Sequence, residues 1–298
     1  MIGVFDSGVG GLSIHRALVE RLPRADFAYL ADQANTPYGG KSSDEIVALT
    51  RSGCIRLFDE GASLIILACN TAAAIALRPL QQEWLPDYRK KLGRAVNVIG
   101  IIVPTIEAAT GLPWQASTIK CHSREDGNPG KDPRLHGGDK GMKTIGIFAT
   151  PATVRSGVYE EEIHKRRPDI TVVQEACPDL ARMIEAGANS KQLSNVIEGH
   201  AQALVARIGK MQWQAILGCT HYEIVGDLFA QTLPAGTELI HQPSATADSL
   251  ARYLKRHPQY DAGSRGLRRF ITTGTAMQNK LAEEFWGGTL AFEAPLAA

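Results

Sequence analysis

Two cysteines stand in matching surroundings within a loose internal repeat. The segment Leu67–Thr71, around Cys69, has a counterpart in Leu217–His221, around Cys219. The segment Ile2–Ser7 likewise has a counterpart in Ile145–Thr150, and the two segments precede their cysteines by 67 and 74 positions. Two matches at nearly equal offset predict two similar halves, each with one cysteine at the same place.

Each of these cysteines directly follows a short apolar run and precedes small hydroxyl or amide residues. Ligands bind at the carboxyl ends of the strands of a parallel α/β sheet, so a thiol there faces a site. The following helix N-terminus favours the thiolate through its dipole and its free N–H groups. A lone cysteine is often just a small buried hydrophobe, but two in equivalent positions favour function over packing.

Two thiols in mirrored halves suit one kind of chemistry. A ligand between them has one sulfur on each side, so one group removes a proton from a carbon and the other returns a proton to the opposite face. This needs one thiolate and one thiol, and an unperturbed cysteine pKa of about 8.5 requires only modest tuning. A redox disulfide pair is the competing interpretation, but the close CxxC spacing typical of such pairs is absent.

Short apolar strands alternate with helical patterns along most of the chain. Such strands predict βαβ units and a mostly parallel sheet that is covered on both faces. The predicted strands are Ile2–Phe5, Phe27–Leu30, Leu64–Ala68, Val96–Ile102, Thr144–Phe148, Thr171–Gln174, Ala215–Leu217 and Glu238–Ile240. The sequence therefore predicts an α/β protein.

A glycine-rich turn, Asp6–Gly11, follows the first strand. It lacks the third glycine, or alanine, of the dinucleotide fingerprint, because Ser13 stands there, and it has no P-loop lysine. An acid at Asp6 would repel a phosphate, so it is better suited to accept a proton or to hold a substrate ammonium. The alternative is that Asp6 caps the next helix.

Composition excludes several classes of protein. The 298 residues carry 32 basic and 31 acidic side chains, for a net charge of +1, so no broad attraction to nucleic acid or to a membrane surface is expected. The longest apolar runs are far below the roughly 18 residues of a membrane helix. The N-terminus does not read as a secretory signal, and five cysteines without close pairs fit a cytoplasmic enzyme with reduced thiols.

One stretch, 114–143, departs from the α/β pattern. It is rich in glycine, proline and charge, it lacks apolar periodicity, and it is expected to be a disordered surface insertion. Its Cys121, His122 and His136 fit no standard metal site, so no metal is expected there.

Taken together, these segments resemble the glutamate racemases, cofactor-independent members of the aspartate/glutamate racemase superfamily. The matching motifs occur in family order and span most of the chain outside the insertion. They are Gly3–Ser13, Ala31-Asp32 with Pro37–Gly39, Ala68–Ala72, Cys177-Pro178 with Glu185 and Gly187, and Leu217–Tyr222. Two positions depart from the family pattern: Glu223 replaces a proline, and Ala73 replaces a serine.

The resemblance implies interconversion of L- and D-glutamate without a cofactor, which supplies D-glutamate for peptidoglycan. It implies that Cys69 and Cys219 are the paired acid/base groups, assisted by Asp6, Glu185 and His221. The positions that match substrate-binding residues are Asp6, Ser7, Tyr38, Gly39, Asn70, Thr71, Thr150, Thr220 and His221.

The resemblance also implies a layout of two similar α/β domains related by a pseudo-two-fold axis, with the active site in the cleft between them. The first domain would hold residues 1–99 and 243–298, and the second would hold residues 100–242. A homodimer is expected, with no nucleic-acid or membrane partner. Three alternatives stay open at this point: a racemase of aspartate or of several acidic amino acids, a nucleotide-dependent oxidoreductase, and a catalytically silent binding protein.

Overall fold

The computed structural model describes residues 1–112, 144–209, 212–260, 262–274 and 279–293. The predicted insertion at 114–143, with its cysteine and two histidines, lies outside the described residues. Within them the chain is an α/β protein with two parallel sheets, which confirms the predicted fold class.

Five strands form the first sheet. They are β1 (Ile2–Asp6), β2 (Phe27–Ala31), β3 (Leu64–Leu67), β4 (Asn97–Gly100) and β9 (Arg268–Thr272), in the spatial order β4-β3-β1-β2-β9. All the pairings are parallel. Strands β1, β2 and β3 are buried along their whole length, because helices cover both faces of the sheet.

Four strands form the second sheet. They are β5 (Thr144–Ala149), β6 (Thr171–Ala176), β7 (Gln214–Gly218) and β8 (Glu238–Ile240), in the spatial order β6-β5-β7-β8, again all parallel. Read from the other edge, this order is β8-β7-β5-β6, which repeats the β4-β3-β1-β2 order of the first sheet. The two halves are therefore similar, as the sequence repeat predicts, and β9 is an additional strand of the first.

Helices connect the strands and pack on both sheets. Helix α1 packs against α12, and α2 packs against α3. The helices of the first half are α1 (Leu12–Arg21), α2 (Ser43–Asp59), α3 (Asn70–Pro79), α4 (Leu85–Leu92) and α5 (Ile102–Thr110). Those that follow are α6 (Pro151–Ser156), α7 (Val158–His164), α8 (Leu180–Glu185), α9 (Ser190–Ile208), α10 (Thr220–Ile224), α11 (Gly226–Thr232), α12 (Gln242–Arg256) and α13 (Asn279–Trp286).

Strand order fixes where a ligand site can form. In the first sheet the chain moves from β1 to β2 on one side and then returns to β3 on the other, and β5, β6 and β7 repeat this reversal in the second sheet. A reversal of this kind leaves a crevice at the carboxyl ends of the two central strands. Those ends are β1 and β3 in one half, and β5 and β7 in the other.

Candidate active site

Both repeat cysteines lie at these strand ends. Cys69 follows β3 by one residue and caps α3, while Cys219 directly follows β7 and precedes α10. Each cysteine is 6% exposed. Each thiol therefore lies at the N-terminus of a helix, where the dipole favours negative charge.

Two donors surround the sulfur of Cys69. The Ser7 hydroxyl donates to Sγ at 3.3 Å, and the Ala72 N–H donates to it at 3.4 Å. Burial, followed by the negative charge of Asp6, raises the pKa of the Cys69 thiol to about 12, although both hydrogen bonds oppose the change. In the absence of a ligand, Cys69 is therefore a thiol at neutral pH.

A histidine and a carboxylate stand behind Cys219. His221 Nδ1 lies 3.7 Å from Cys219 Sγ, and His221 Nε2 lies 2.8 Å from Glu185 Oε1. The Thr36 hydroxyl donates to the same carboxylate oxygen at 3.3 Å. Burial lowers the pKa of His221, but the interactions with Cys219 and Glu185 outweigh burial and hold it well above the usual range. An imidazolium at this position donates toward the sulfur.

Asp6 lies at the end of β1 and is completely buried. Its carboxylate accepts from the Gly8 N–H at 2.8 Å and from the Thr220 hydroxyl at 3.3 Å. Burial raises the pKa of Asp6 above its usual range, although the charge of His221 and the Gly8 hydrogen bond act the other way. A Cβ atom at Gly11 would lie 2.7 Å from the Asp6 Cβ, so the turn needs glycine there to pass so close.

Three threonine hydroxyls form a cluster between the halves. Thr71 Oγ1 lies 3.0 Å from Thr150 Oγ1 and 3.2 Å from Thr153 Oγ1, and the last two are 3.0 Å apart. A Cβ atom at Gly39 would lie 3.0 Å from the Thr150 Cβ, which places the Gly39 backbone against the same cluster. Hydroxyl rotors of this kind can turn toward a carboxylate.

Two further predicted residues, Tyr38 and Asn70, form hydrogen bonds with other side chains of the chain. The Tyr38 hydroxyl donates to Asp32 Oδ2 at 2.6 Å, and burial raises the pKa of this phenol above its usual range. Asn70 exchanges hydrogen bonds with Gln242 and accepts from the Tyr159 hydroxyl at 2.6 Å. Both residues are buried.

The structure brings the predicted residues of the two halves together. Thr220 bonds to Asp6 across the halves, and Thr71 bonds to Thr150. Sequence reasoning missed several partners, namely the partly buried Thr36 and the buried Thr153, Tyr159 and Gln242. Their residue types carry no motif of their own, although Thr153 lies one turn from the predicted Thr150 and can be found from that spacing.

The described residues offer neither a metal-binding cluster nor a membrane-spanning helix. Across the described ranges, no group of three or more His, Cys, Asp or Glu side chains is arranged to hold a metal ion. In those same ranges, no helix has the length and apolar character needed to cross a bilayer.

Comparison with known proteins decides the family. A glutamate racemase from Phenylobacterium zucineum (strain HLK1) is 62% identical over 295 residues, which cover 98% of this chain and 99% of that protein. The chain belongs to the glutamate racemase family. It is therefore an amino-acid racemase, an isomerase. No protein-family model matches the chain.

Solved structures of the glutamate racemase family share the fold. The RacE1 isoform from Bacillus anthracis has a TM-score of 0.79 at 25% identity, covering 99% of this chain and 96% of that one. Glutamate racemase from Francisella tularensis subsp. tularensis SCHU S4, solved in complex with D-glutamate, has a TM-score of 0.75 at 27% identity, covering 100% and 97%.

Proposed function

We propose that this racemase interconverts L- and D-glutamate without a cofactor, using Cys69 and Cys219 as its acid/base pair. The observation that carries the proposal is the placement of the two thiols at equivalent strand ends, each with its own polar partner. Relatives named glutamate racemase, and a family member solved with D-glutamate, support the substrate.

In the proposed reaction, the thiolate of one cysteine takes the proton from the α-carbon. The C–H electron pair stays on the carbon as a carbanion, and the thiol of the other cysteine gives its proton to the opposite face. The thiol and thiolate have then exchanged places, so the reverse reaction starts from the other cysteine. Positioned general acids and bases contribute roughly 10²–10⁴-fold each.

Three residues assist the thiols in this scheme. His221, held by Glu185, donates toward Cys219 and stabilises its thiolate. Asp6 lies close enough to Cys69 to influence its pKa and is suited to receive the substrate ammonium. A buried thiol loses its proton more readily when a neighbour of opposite charge stabilises the thiolate that is formed.

The substrate carboxylates are proposed to lie at helix N-termini and hydroxyls. The start of α3 offers backbone N–H groups beside Asn70 and Thr71, and the threonine cluster adds hydroxyl donors. The full proposed binding set is Asp6, Ser7, Tyr38, Gly39, Asn70, Thr71, Thr150, Thr220 and His221.

We also propose the cellular setting that the sequence suggests. The enzyme would act in the cytoplasm as a homodimer and supply D-glutamate for peptidoglycan. The predicted domain boundaries, 1–99 with 243–298 and 100–242, belong to the same proposal. Light scattering on the purified chain measures the oligomeric state directly.

Circular dichroism of L-glutamate incubated with purified protein tests the function. We expect the signal to decay to zero without any added cofactor, and the product formed in deuterated water to carry one deuterium at the α-carbon. Aspartate under the same conditions measures specificity. Product that keeps the substrate hydrogen would contradict the two-thiol scheme.

Cysteine variants complete this test. Cys69→Ala or Cys219→Ala should lower racemisation in both directions by at least roughly 100-fold, because each removes a proton-transfer group. Cys54→Ala is the matched control, since Cys54 is a buried thiol of α2 outside the proposed acid/base pair. An active Cys69→Ala or Cys219→Ala variant would assign that proton transfer to another group.

A further inference from the structure

Gln242, the first residue of α12, is completely buried against Asn70. The two side-chain amides exchange hydrogen bonds: Asn70 Nδ2 donates to Gln242 Oε1 at 2.8 Å, and Gln242 Nε2 donates to Asn70 Oδ1 at 3.1 Å. Gln242 Nε2 also lies 3.0 Å from both Thr105 Oγ1 and Tyr159 Oη. Residues from both halves therefore meet at this one glutamine.

These contacts fix which way the Asn70 amide faces. The Tyr159 hydroxyl donates to Asn70 Oδ1, and the Thr105 hydroxyl donates to the Ile101 carbonyl, so Thr105 Oγ1 accepts from Gln242 Nε2. The two Gln242 Nε2 hydrogens therefore go to Thr105 Oγ1 and Asn70 Oδ1, with Tyr159 Oη as a close third neighbour. Turning either amide over would set donor against donor. Of the two Asn70 Nδ2 hydrogens, the bonds found within the described residues use one, which leaves the other for a ligand oxygen.

Glu223 holds Gln242 from the opposite side. Its side chain is 5% exposed, and one carboxylate oxygen accepts from the Gln242 backbone N–H at 2.8 Å, while the second oxygen lies 3.4 Å from His241 Nδ1. Pro243 follows Gln242 and has no N–H, so this contact satisfies one of the few free donors at the start of α12. A carboxylate at a helix N-terminus is also favoured by the helix dipole.

The two contacts form a bridge between the helices that begin at the two cysteines. Glu223 lies on α10, which follows Cys219, and Asn70 is the first residue of α3, which follows Cys69.

We propose that Gln242 and Glu223 are positioning residues of the racemase reaction: they orient the Asn70 amide toward the substrate carboxylate and link α10 to the start of α3 through Gln242. The proposal rests on the proposed function, because it needs Asn70 to bind the substrate. Gln242 acts through Asn70, and Glu223 acts through Gln242.

Gln242→Met tests the bridge, because it keeps the length of the side chain and removes its hydrogen bonds. We expect kcat/KM for glutamate to fall roughly 10- to 100-fold, mostly through a higher KM, as one hydrogen bond to a charged group is lost. In an Asn70→Ala background the same change should cost less than about 2-fold, because the two residues act as one unit.

Gln81→Met is the matched control. Gln81 also donates through Nε2, to the Val98 carbonyl at 2.7 Å, and it takes no part in the bridge. Its kcat/KM should stay within about 2-fold of wild type, since its hydrogen bond goes to the Val98 carbonyl of β4 and not to Asn70 or Gln242. A general loss of packing would lower the activity of both glutamine variants and would leave KM unchanged.

Two variants of Glu223 test the bridge independently if Gln242→Met does not fold. Glu223→Gln retains an oxygen acceptor for the Gln242 N–H and should keep most of the activity, whereas Glu223→Ala removes it and should lose roughly 10-fold in kcat/KM. Equal activities of these two variants would contradict the role of Glu223.

Two outcomes separate the bridge from the proposed function. Wild-type protein that does not racemise glutamate would contradict the function itself. If the wild-type protein is active, two results would overturn the bridge alone. One is a kcat/KM of Gln242→Met within about 2-fold of wild type. The other is an equal loss of kcat/KM from Gln242→Met in the wild-type and the Asn70→Ala backgrounds.

Discussion

The two thiols of the site have partners of different chemical kinds. Cys69 receives neutral donors, from a serine hydroxyl and a backbone N–H, and its pKa is raised to about 12. Cys219 has His221 and Glu185 behind it, and the interactions of His221 with both residues raise the pKa of its imidazole well above the usual range. The halves therefore share a strand order but differ in how they stabilise a thiolate.

This asymmetry gives a prediction for Glu185→Gln. The amide oxygen can still accept from His221, but the loss of negative charge lowers the His221 pKa. Activity that needs the imidazolium is lost as pH rises through that pKa, so the alkaline limb of the kcat profile should move to lower pH. We expect kcat at pH 8 to fall roughly 10-fold or more, which is in line with the rate contribution of one positioned general acid.

The measurement is a pH–rate profile in both directions. Glu175→Gln is the matched control, because Glu175 also pairs with a histidine, His200, at 2.8 Å, outside the proposed site. Its profile should follow that of wild type. An alkaline limb that stays in place in Glu185→Gln would show that His221 does not act as an imidazolium.

Sequence patterns predicted which residues lie at the strand ends, because each of these residues is next to an apolar run that marks the strand. Each of Asp6, Cys69 and Cys219 directly follows or nearly follows an apolar run, so the run marks its place. Gln242 has no such marker, because its role comes from Asn70, which is 172 positions away. Contacts over that distance depend on how the two sheets meet, which no local pattern encodes.

At the scale of elements, the strand predictions agree with both sheets except at the two edges of the first sheet, β9 and β4. Strand β9, Arg268–Thr272, was missed because it begins with two arginines, which an edge strand tolerates and a central strand does not. The predicted strand Val96–Ile102 was too long: β4 ends at Gly100, and α5 begins at Ile102. An apolar run alone does not separate a buried strand from the first turn of a buried helix.

Helix α1 contains a histidine that makes folding sensitive to acid. His15 is fully buried among Phe27, Tyr29, Phe270 and Trp286, and neither ring nitrogen has a hydrogen-bond partner among the described residues. Burial, with a smaller contribution from the charge of Arg268, lowers its pKa to about 3.

The sign of the effect follows from proton binding. Below pH 6.5 the unfolded chain takes up a proton at His15 that the folded protein does not, so stability falls as pH drops from 6.5 toward 3. This group contributes a slope of at most about 1.4 kcal/mol per pH unit. His15→Leu should remove that part of the slope and should be more stable than wild type at pH 5.

Urea unfolding at pH 7.5, 6 and 5 measures the slope. His164→Leu serves as the comparison, since the His164 ring lies 3.0 Å from the Ile170 carbonyl and His15 remains in place. That variant should keep the acid slope that His15 contributes. The same slope in His15→Leu as in wild type would mean that His15 does not titrate on unfolding.

At the scale of the whole molecule, the proposed reaction needs nothing beyond the chain. Two thiols supply the base and the acid, and the α10 and α3 termini supply charge stabilisation. Activity should therefore survive dialysis against a chelator, within about 2-fold, because the acid/base groups carry the chemistry. The purified enzyme should also show no pyridoxal absorbance.

Assays before and after dialysis, with an absorbance spectrum of each sample, make this check. Enzyme dialysed without chelator is the control for losses in handling. Activity that disappears with the chelator and returns only on addition of a metal ion, or of pyridoxal phosphate, would contradict cofactor-independent catalysis.

The position of β9 gives the protein an order of assembly during translation. Strands β5 to β8 lie in one continuous stretch, residues 144–240, whereas the first sheet also needs residues 268–272. A ribosome therefore releases all the strands of the later half before it releases the last strand of the earlier half. Until then the outer edge of β2 presents unpaired backbone groups, the kind of edge that recruits other strands. The N-terminal sheet, although it is made first, is finished last.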